Sequence, residues 1–240
     1  RVAGLAEHAR TLRENTDYAI AAYKATLLGM FDLACALRGM DNFFMDMMAD
    51  PQAAETILDR TLEFNYGVYS AMLDAVGPFI DVVEFNDDLG MQENMLFSPD
   101  LYRSMFKPRH AEFVAMLHRK APQAKVFMHC CGSIRPIIPD LIEIGVDVLN
   151  PIQPLARGMD PGELKAEFGA DICFQGAIDV QQGMIGTVAD VRREAASRIG
   201  ALAPGGGYVL ATANNITSDI PLENVLCLYE SAAEFGRYPL

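Results

Sequence analysis

A chain of 240 residues, 51% hydrophobic and 21% charged, is long enough to bury one large core and is neither disordered nor fibrous in composition. Its formal net charge of −13 repels phosphate backbones and excludes nucleic acid as the expected partner; the basic residues between 103 and 125 are spread along a helix and form no patch. No apolar run approaches the roughly 20 residues that span a bilayer, and no signal-peptide pattern opens the chain, so no membrane association is expected.

The five cysteines, Cys35, Cys130, Cys131, Cys173 and Cys227, are odd in number and lack secretory context, which points to reduced thiols in a cytoplasm. Cys35, Cys173 and Cys227 read as core fillers. The chain opens on Arg1-Val2 without an initiator Met, as expected of a processed chain or a piece of a longer one.

In chain order, 1–15 reads as a helix, and Asp17 to Tyr23 as a strand with helix as its rival. Leu27 to Ala49 follows as a Met- and Phe-rich helical region with breaks at Gly29 and Gly39. Asp50-Pro51 stops one helix and starts the next, which runs from Gln52 to Val76. A regular alternation then sets in. Strands are expected at Ile80–Phe85, Lys125–Met128, Asp147–Leu149, Ile172–Phe174 and Tyr208–Leu210. Helices are expected from Ser98 to about Arg119, from Ser133 as N-cap to Ile144, at Asp160–Phe168, Thr187–Leu202 and Pro221–Phe235.

Repeated βα units with short strands imply a parallel sheet, doubly wound or closed into a barrel. Polar residues follow nearly every strand, which favours the barrel, where the site is assembled from many C-terminal strand ends at once. Five clear units and a weaker sixth fall short of eight, so a (β/α)8 TIM barrel lacking its first one or two βα units is the expected fold. No linker rich in Pro, Gly or Ser divides the chain, so 1–240 reads as a single domain.

The chemistry gathers at the strand ends. The run VFMHCCGSIRPIIPD brings His129 and Cys131 to a strand-to-loop corner, with the spacing of two metal ligands and the donor types that suit zinc. The bland alternative is a hydrogen-bonded histidine beside a buried thiol. Asp87 and Asp88 end the preceding strand, where adjacent carboxylates could act as acid and base, bind substrate or complete a metal site; a solvated loop is the rival. Glu84, inside that strand, is a further candidate ligand. Asn150, Gln153, Gln175, Asp179 and Asn214 follow the later strands and could orient a substrate, although each alone is more often a turn former. Gly205-Gly206-Gly207 precedes a strand and is a turn instead of a phosphate loop.

From Asp81 onward the segments DVVEFNDDLGMQ, SPDLYRSMFKPRH, MHCCGSIRPIIPDLIEIGVDVLNPIQ, FQGAIDVQ and PGGGYVLATANNITSDIPLENV resemble the uroporphyrinogen decarboxylase superfamily. The resemblance implies a (β/α)8 barrel and two candidate chemistries. One is zinc-assisted methyl transfer between a methylated corrinoid on a partner protein and a thiol or other C1 acceptor. There a His-x-Cys pair, matched by His129 and Cys131, and a later cysteine hold the metal. That later position is Asn214 here, so Glu84, Asp87 or Asp88 would have to supply the third ligand. The other is cofactor-free decarboxylation of a tetrapyrrole, with Asp87 and Asn214 lining the pocket. A non-catalytic corrinoid- or tetrapyrrole-binding subunit is a third reading, and a homodimer is an admissible assembly. The first chemistry is the leading expectation, with His129, Asp87 and Asp88 as its catalytic residues.

Overall fold

The computed structural model describes residues 2–238 and 240. In chain order the main elements are α1 (Leu5–Asn15), β1 (Ala21–Ala22), α2 (Met30–Arg38), α3 (Met40–Ala49), α4 (Pro51–Val76) and β2 (Val82–Asn86). Then come α5 (Pro99–Leu101), α6 (Lys107–Lys120), β3 (Lys125–His129), α7 (Ile138–Glu143), β4 (Val148–Ile152) and α8 (Pro161–Phe168). The chain finishes with β5 (Cys173–Ile178), α9 (Val188–Leu202), β6 (Tyr208–Thr212) and α10 (Leu222–Phe235). No helix among the described residues is long and apolar enough to cross a membrane.

The residues gather into two compact units, one of residues 1–89, 97–129 and 140–147, the other of 90–96, 130–139 and 148–240. In the first, β1, β2 and β3 lie in chain order and pair in parallel, with Asn86 opposite His129 at the C-terminal end of the β2–β3 ladder. In the second, β4, β5 and β6 do the same, with Leu149 opposite Phe174 and Ile178 opposite Thr212. Parallel strands in chain order, each return made through helical segments, are the local grammar of a βα barrel.

The strands are apolar because both of their faces are covered. Val126, Phe127, Met128, Leu149, Ile152 and Phe174 are all buried. In the first unit Phe31, fully enclosed, packs against Phe43, Phe44, Phe97 and Phe106 with ring centroids 5.4–6.1 Å away. That aromatic cluster ties the start of α2 to α3 and to the segment before α6. Burying one such ring contributes about 2–3 kcal/mol. In the second unit Ile178, Met184, Val191, Ala195, Ile220 and Leu228 join β5, α9 and α10.

Several boundaries depart from the sequence expectations. The strand sought over Asp17–Tyr23 contracts to Ala21–Ala22. The single helix expected from Ser98 to Arg119 contains a π-helical stretch at Tyr102–Phe106. Pro108 has no N–H to donate back to Ser104, and a wider turn before it absorbs the misfit. Ser133 caps no helix: its Oγ donates to the Arg157 carbonyl, a 3-10 turn follows at Arg135–Ile137, and α7 has six residues. The expected helix N-terminus beside His129 and Cys131 is therefore absent, the backbone being interrupted by Pro136 and Pro139. The strands after β3 run further than expected, to Ile152, Ile178 and Thr212. Thr187 does open α9, with a full capping box to Asp190.

Candidate functional site

The end of β2 sends its two adjacent carboxylates in opposite directions, because successive side chains of an extended chain face opposite sides. Asp87 shares the face of Phe85, whose ring packs on His110 and Phe113 of α6. Its carboxylate is fully buried and accepts the backbone N–H of Phe31 at 2.9 and 3.1 Å and that of Asp32 at 3.2 Å. These are orphan donors at the start of α2, which a carboxylate both satisfies and stabilises. His110 Nε2 lies 3.0 Å from the other side of the group, and Tyr102 Oη lies 3.4 Å from His110 Nδ1. The approach of α2 requires Gly29, since a Cβ there would sit 2.0 Å from the Asn86 carbonyl oxygen and 2.4 Å from Asp87 Oδ1.

The structure thus places the Asp87 carboxylate, expected to be catalytic or to line a tetrapyrrole pocket, wholly buried on the N–H groups that open α2. Glu84 departs too. It is buried inside β2, 3.7 Å from Lys24 Nζ, and burial raises its carboxyl above the usual range despite that cation. Four residues of extended chain, roughly 13 Å, separate it from Asp88, so it does not complete a ligand set there.

Asp88 turns the other way and is 43% exposed, with Oδ1 3.6 Å from His129 Nε2. His129 ends β3, and Cys131 follows on the same corner of the chain. One donor atom from each of Asp88, His129 and Cys131 falls within 4.8 Å of the others, and this is the group of potential ligands found among the described residues. Carboxylate, imidazole and thiol are the donors zinc accepts, and ligands in a tetrahedron at about 2.0–2.3 Å from the ion stand closer together than that limit requires. Three protein ligands leave a position open for substrate. The donor set would suit zinc, with Asp88 offering the third donor that Asn214 does not.

Sequence reasoning missed Asp32. It stands in the first turn of α2, with Oδ2 3.4 Å from the Asp88 backbone nitrogen and 3.4 Å from Asn86 Nδ2. Burial, then the charges of Asp87 and Asp88, push its carboxyl up to about 7. The same burial, with Asp32 and Asp87 nearby, pushes the Cys35 thiol up to about 11. The available signal was a lone acidic residue in the apolar run MFDLAC immediately after a glycine.

In the second unit the corner after Cys130 is tied down by backbone bonds. The Cys130 N–H donates to the Asn150 carbonyl at 2.6 Å, and the Gly132 N–H donates to Gln153 Oε1 at 2.7 Å. Gly132 adopts φ +87°, and a Cβ on it would lie 2.4 Å from the Gly90 carbonyl carbon, so only glycine serves. Asn150 Nδ2 donates to Gln175 Oε1 at 3.1 Å. Asp179 accepts the N–H groups of Gln181, Gln182 and Gly183, which makes its carboxylate the anchor of the turn after β5. Gln153, Asp179 and Asn214 line a cleft of about 270 Å³. Asn150 and Gln175 pair with each other, and neither lines that cleft.

No curated protein matches the chain. Among solved structures, a methyltransferase from Methanosarcina mazei superposes with a TM-score of 0.74 at 23% identity, covering 97% of this chain and 64% of its own length. At that identity the likeness is one of fold: parallel α/β architecture of the barrel type. The chain spans about two-thirds of that methyltransferase. Residues 1–235 match the family described as Uroporphyrinogen decarboxylase (URO-D), and the chain belongs to the uroporphyrinogen decarboxylase family.

Proposed function

We propose that the chain carries the zinc-binding part of a corrinoid-linked methyltransferase, which moves a methyl group between a methylated corrinoid on a partner protein and a thiol or other C1 acceptor. The observation that carries this reading is the convergence of Asp88, His129 and Cys131. The fold likeness to a methyltransferase supports it. Zinc held by these three side chains would supply Lewis acidity, which keeps an acceptor thiol ionised near neutral pH.

The protein's own residues divide the remaining work. Asp87 fixes the first turn of α2, and with it Asp32, behind the metal ligands. The Asp32 carboxyl carries a proton at the acid side of neutrality and lies against the backbone of Asp88, where it limits the negative charge gathered around the site. The Gln153 side chain holds the backbone next to Cys131, so the thiol is presented by a corner of fixed geometry. Gln153, Asp179 and Asn214 orient the substrate, and the Asn150–Gln175 pair braces the β4 and β5 ends beneath them.

Metal analysis of purified protein tests the proposal. One zinc per chain is expected, lost in Cys131→Ala and in Asp88→Ala, together with zinc-dependent methyl transfer from methylcobalamin to a thiol. Protein without metal, or zinc retained by both variants, overturns it.

A further inference from the structure

The cleft of the second unit is lined by side chains of unusual electrical character for so acidic a chain. Gln153, Gln181, Asn214, Asn215 and Thr217 line it beside Pro154, Leu155 and Val180, the Thr217 hydroxyl already donating to Asp219. No lysine, arginine or histidine is among the lining residues. The one carboxylate, Asp179, is buried and already accepts three backbone N–H groups. Gln153 and Asn214 each commit their amide oxygen to a backbone N–H, of Gly132 and Asn215 respectively. Their NH₂ groups are left as donors, and Gln181 and Asn215 add both donors and acceptors.

An anion in this cleft would meet Asp179 and find no cationic side chain among the lining residues. A cation would find the only lining carboxylate satisfied by backbone donors. Transferring a charge out of water without a partner is far more costly than transferring a neutral polar group that recovers its hydrogen bonds. At about 270 Å³ the space is also smaller than the roughly 300–1,000 Å³ typical of pockets for drug-sized ligands.

We infer that this cleft binds a small uncharged molecule bearing both a hydrogen-bond donor and an acceptor, a carboxamide in the simplest case, and rejects carboxylates of the same shape. The inference deepens the proposed function and rests on the substrate-orienting role given there to Gln153, Asp179 and Asn214. It does not depend on the metal. The leading consequence is that the methyl acceptor or its carrier group is neutral at this end.

Benzamide, benzoate and benzylammonium are three probes of nearly equal size and different charge, and ligand-observed NMR on the intact chain ranks them. Benzamide is expected to bind with a Kd roughly tenfold or more below that of either ion, a difference that one unpaired charge readily produces. Asn214→Leu and Gln181→Leu, both at exposed positions, are each expected to weaken benzamide several-fold. Benzoate binding as tightly as benzamide, preference for benzylammonium, binding of none of the three, or full binding by both leucine variants would each overturn the inference. A chain that lacks zinc yet prefers benzamide overturns the metal reading alone.

Discussion

Asp87 and Asp88 are adjacent in sequence and both carboxylates, yet their removal should have opposite signatures. In Asp87→Ala three donors lose their acceptor inside the protein: the N–H groups of Phe31 and Asp32 and the ring nitrogen of His110. The carboxylate and the imidazole are both wholly inaccessible. Each unsatisfied buried donor costs about 1–3 kcal/mol, so the three together cost several kcal/mol. A loss of about 4 kcal/mol is a large share of the 5–15 kcal/mol that holds a typical domain. For a chain of this size it corresponds to a Tm about 8–16 °C lower. Asp88→Ala removes a half-exposed side chain and should stay within about 0.5 kcal/mol of wild type while abolishing zinc binding. Urea and thermal unfolding followed by circular dichroism on metal-free protein, with zinc titration of the folded variants, separates the two. An Asp87→Ala variant melting within about 2 °C of wild type would refute the assignment of Asp87 as the buried anchor of α2.

Gly29→Ala should lower stability by about 1–3 kcal/mol or abolish folding, because its Cβ meets the Asn86 carbonyl oxygen at 2.0 Å, and urea midpoints report it. Asp32→Asn tests the raised carboxyl. Its folded pKa, about 7, exceeds the unfolded value near 3.8, so the folded state binds more protons between those limits and stability falls as pH rises through them. The metal-free variant should therefore gain stability over wild type progressively from about pH 4 to pH 7, with the difference level above that; a difference independent of pH counts against the burial of Asp32. Chelation should lower the Tm of zinc-loaded wild type and leave that of Cys131→Ala unmoved, as expected when a ligand binds the native state alone. Equal shifts in both proteins would place the metal elsewhere.

The order of strands and helices was largely legible before any coordinates, because period-2 and period-3.6 apolar patterns, glycines and prolines act locally. The pairing of His129 with Cys131 was legible for a simpler reason: two residues of chain hold them near one another whatever the fold. Where local rules competed, they misled. Ser133 resembles an N-cap, yet Pro136 and Pro139 shorten the helix after it and its hydroxyl goes to Arg157. Glu84 looks like a ligand in a strand, yet it sits too deep and meets Lys24.

What the amino-acid sequence determined by itself is the alternation of parallel βα units, the family they belong to, and a corner bearing an imidazole and a thiol. Tertiary structure alone decided which neighbouring carboxylate joins that corner. The two aspartates differ in nothing that composition or spacing records. They differ because α2, arriving from more than fifty residues upstream, presents its free N–H groups to one face of β2 and claims Asp87 there. The pleat of the strand then leaves Asp88 on the other face, beside His129. The raised carboxyl of Asp32 has the same origin, since only the folded chain buries it and then brings Asp87 and Asp88 beside it.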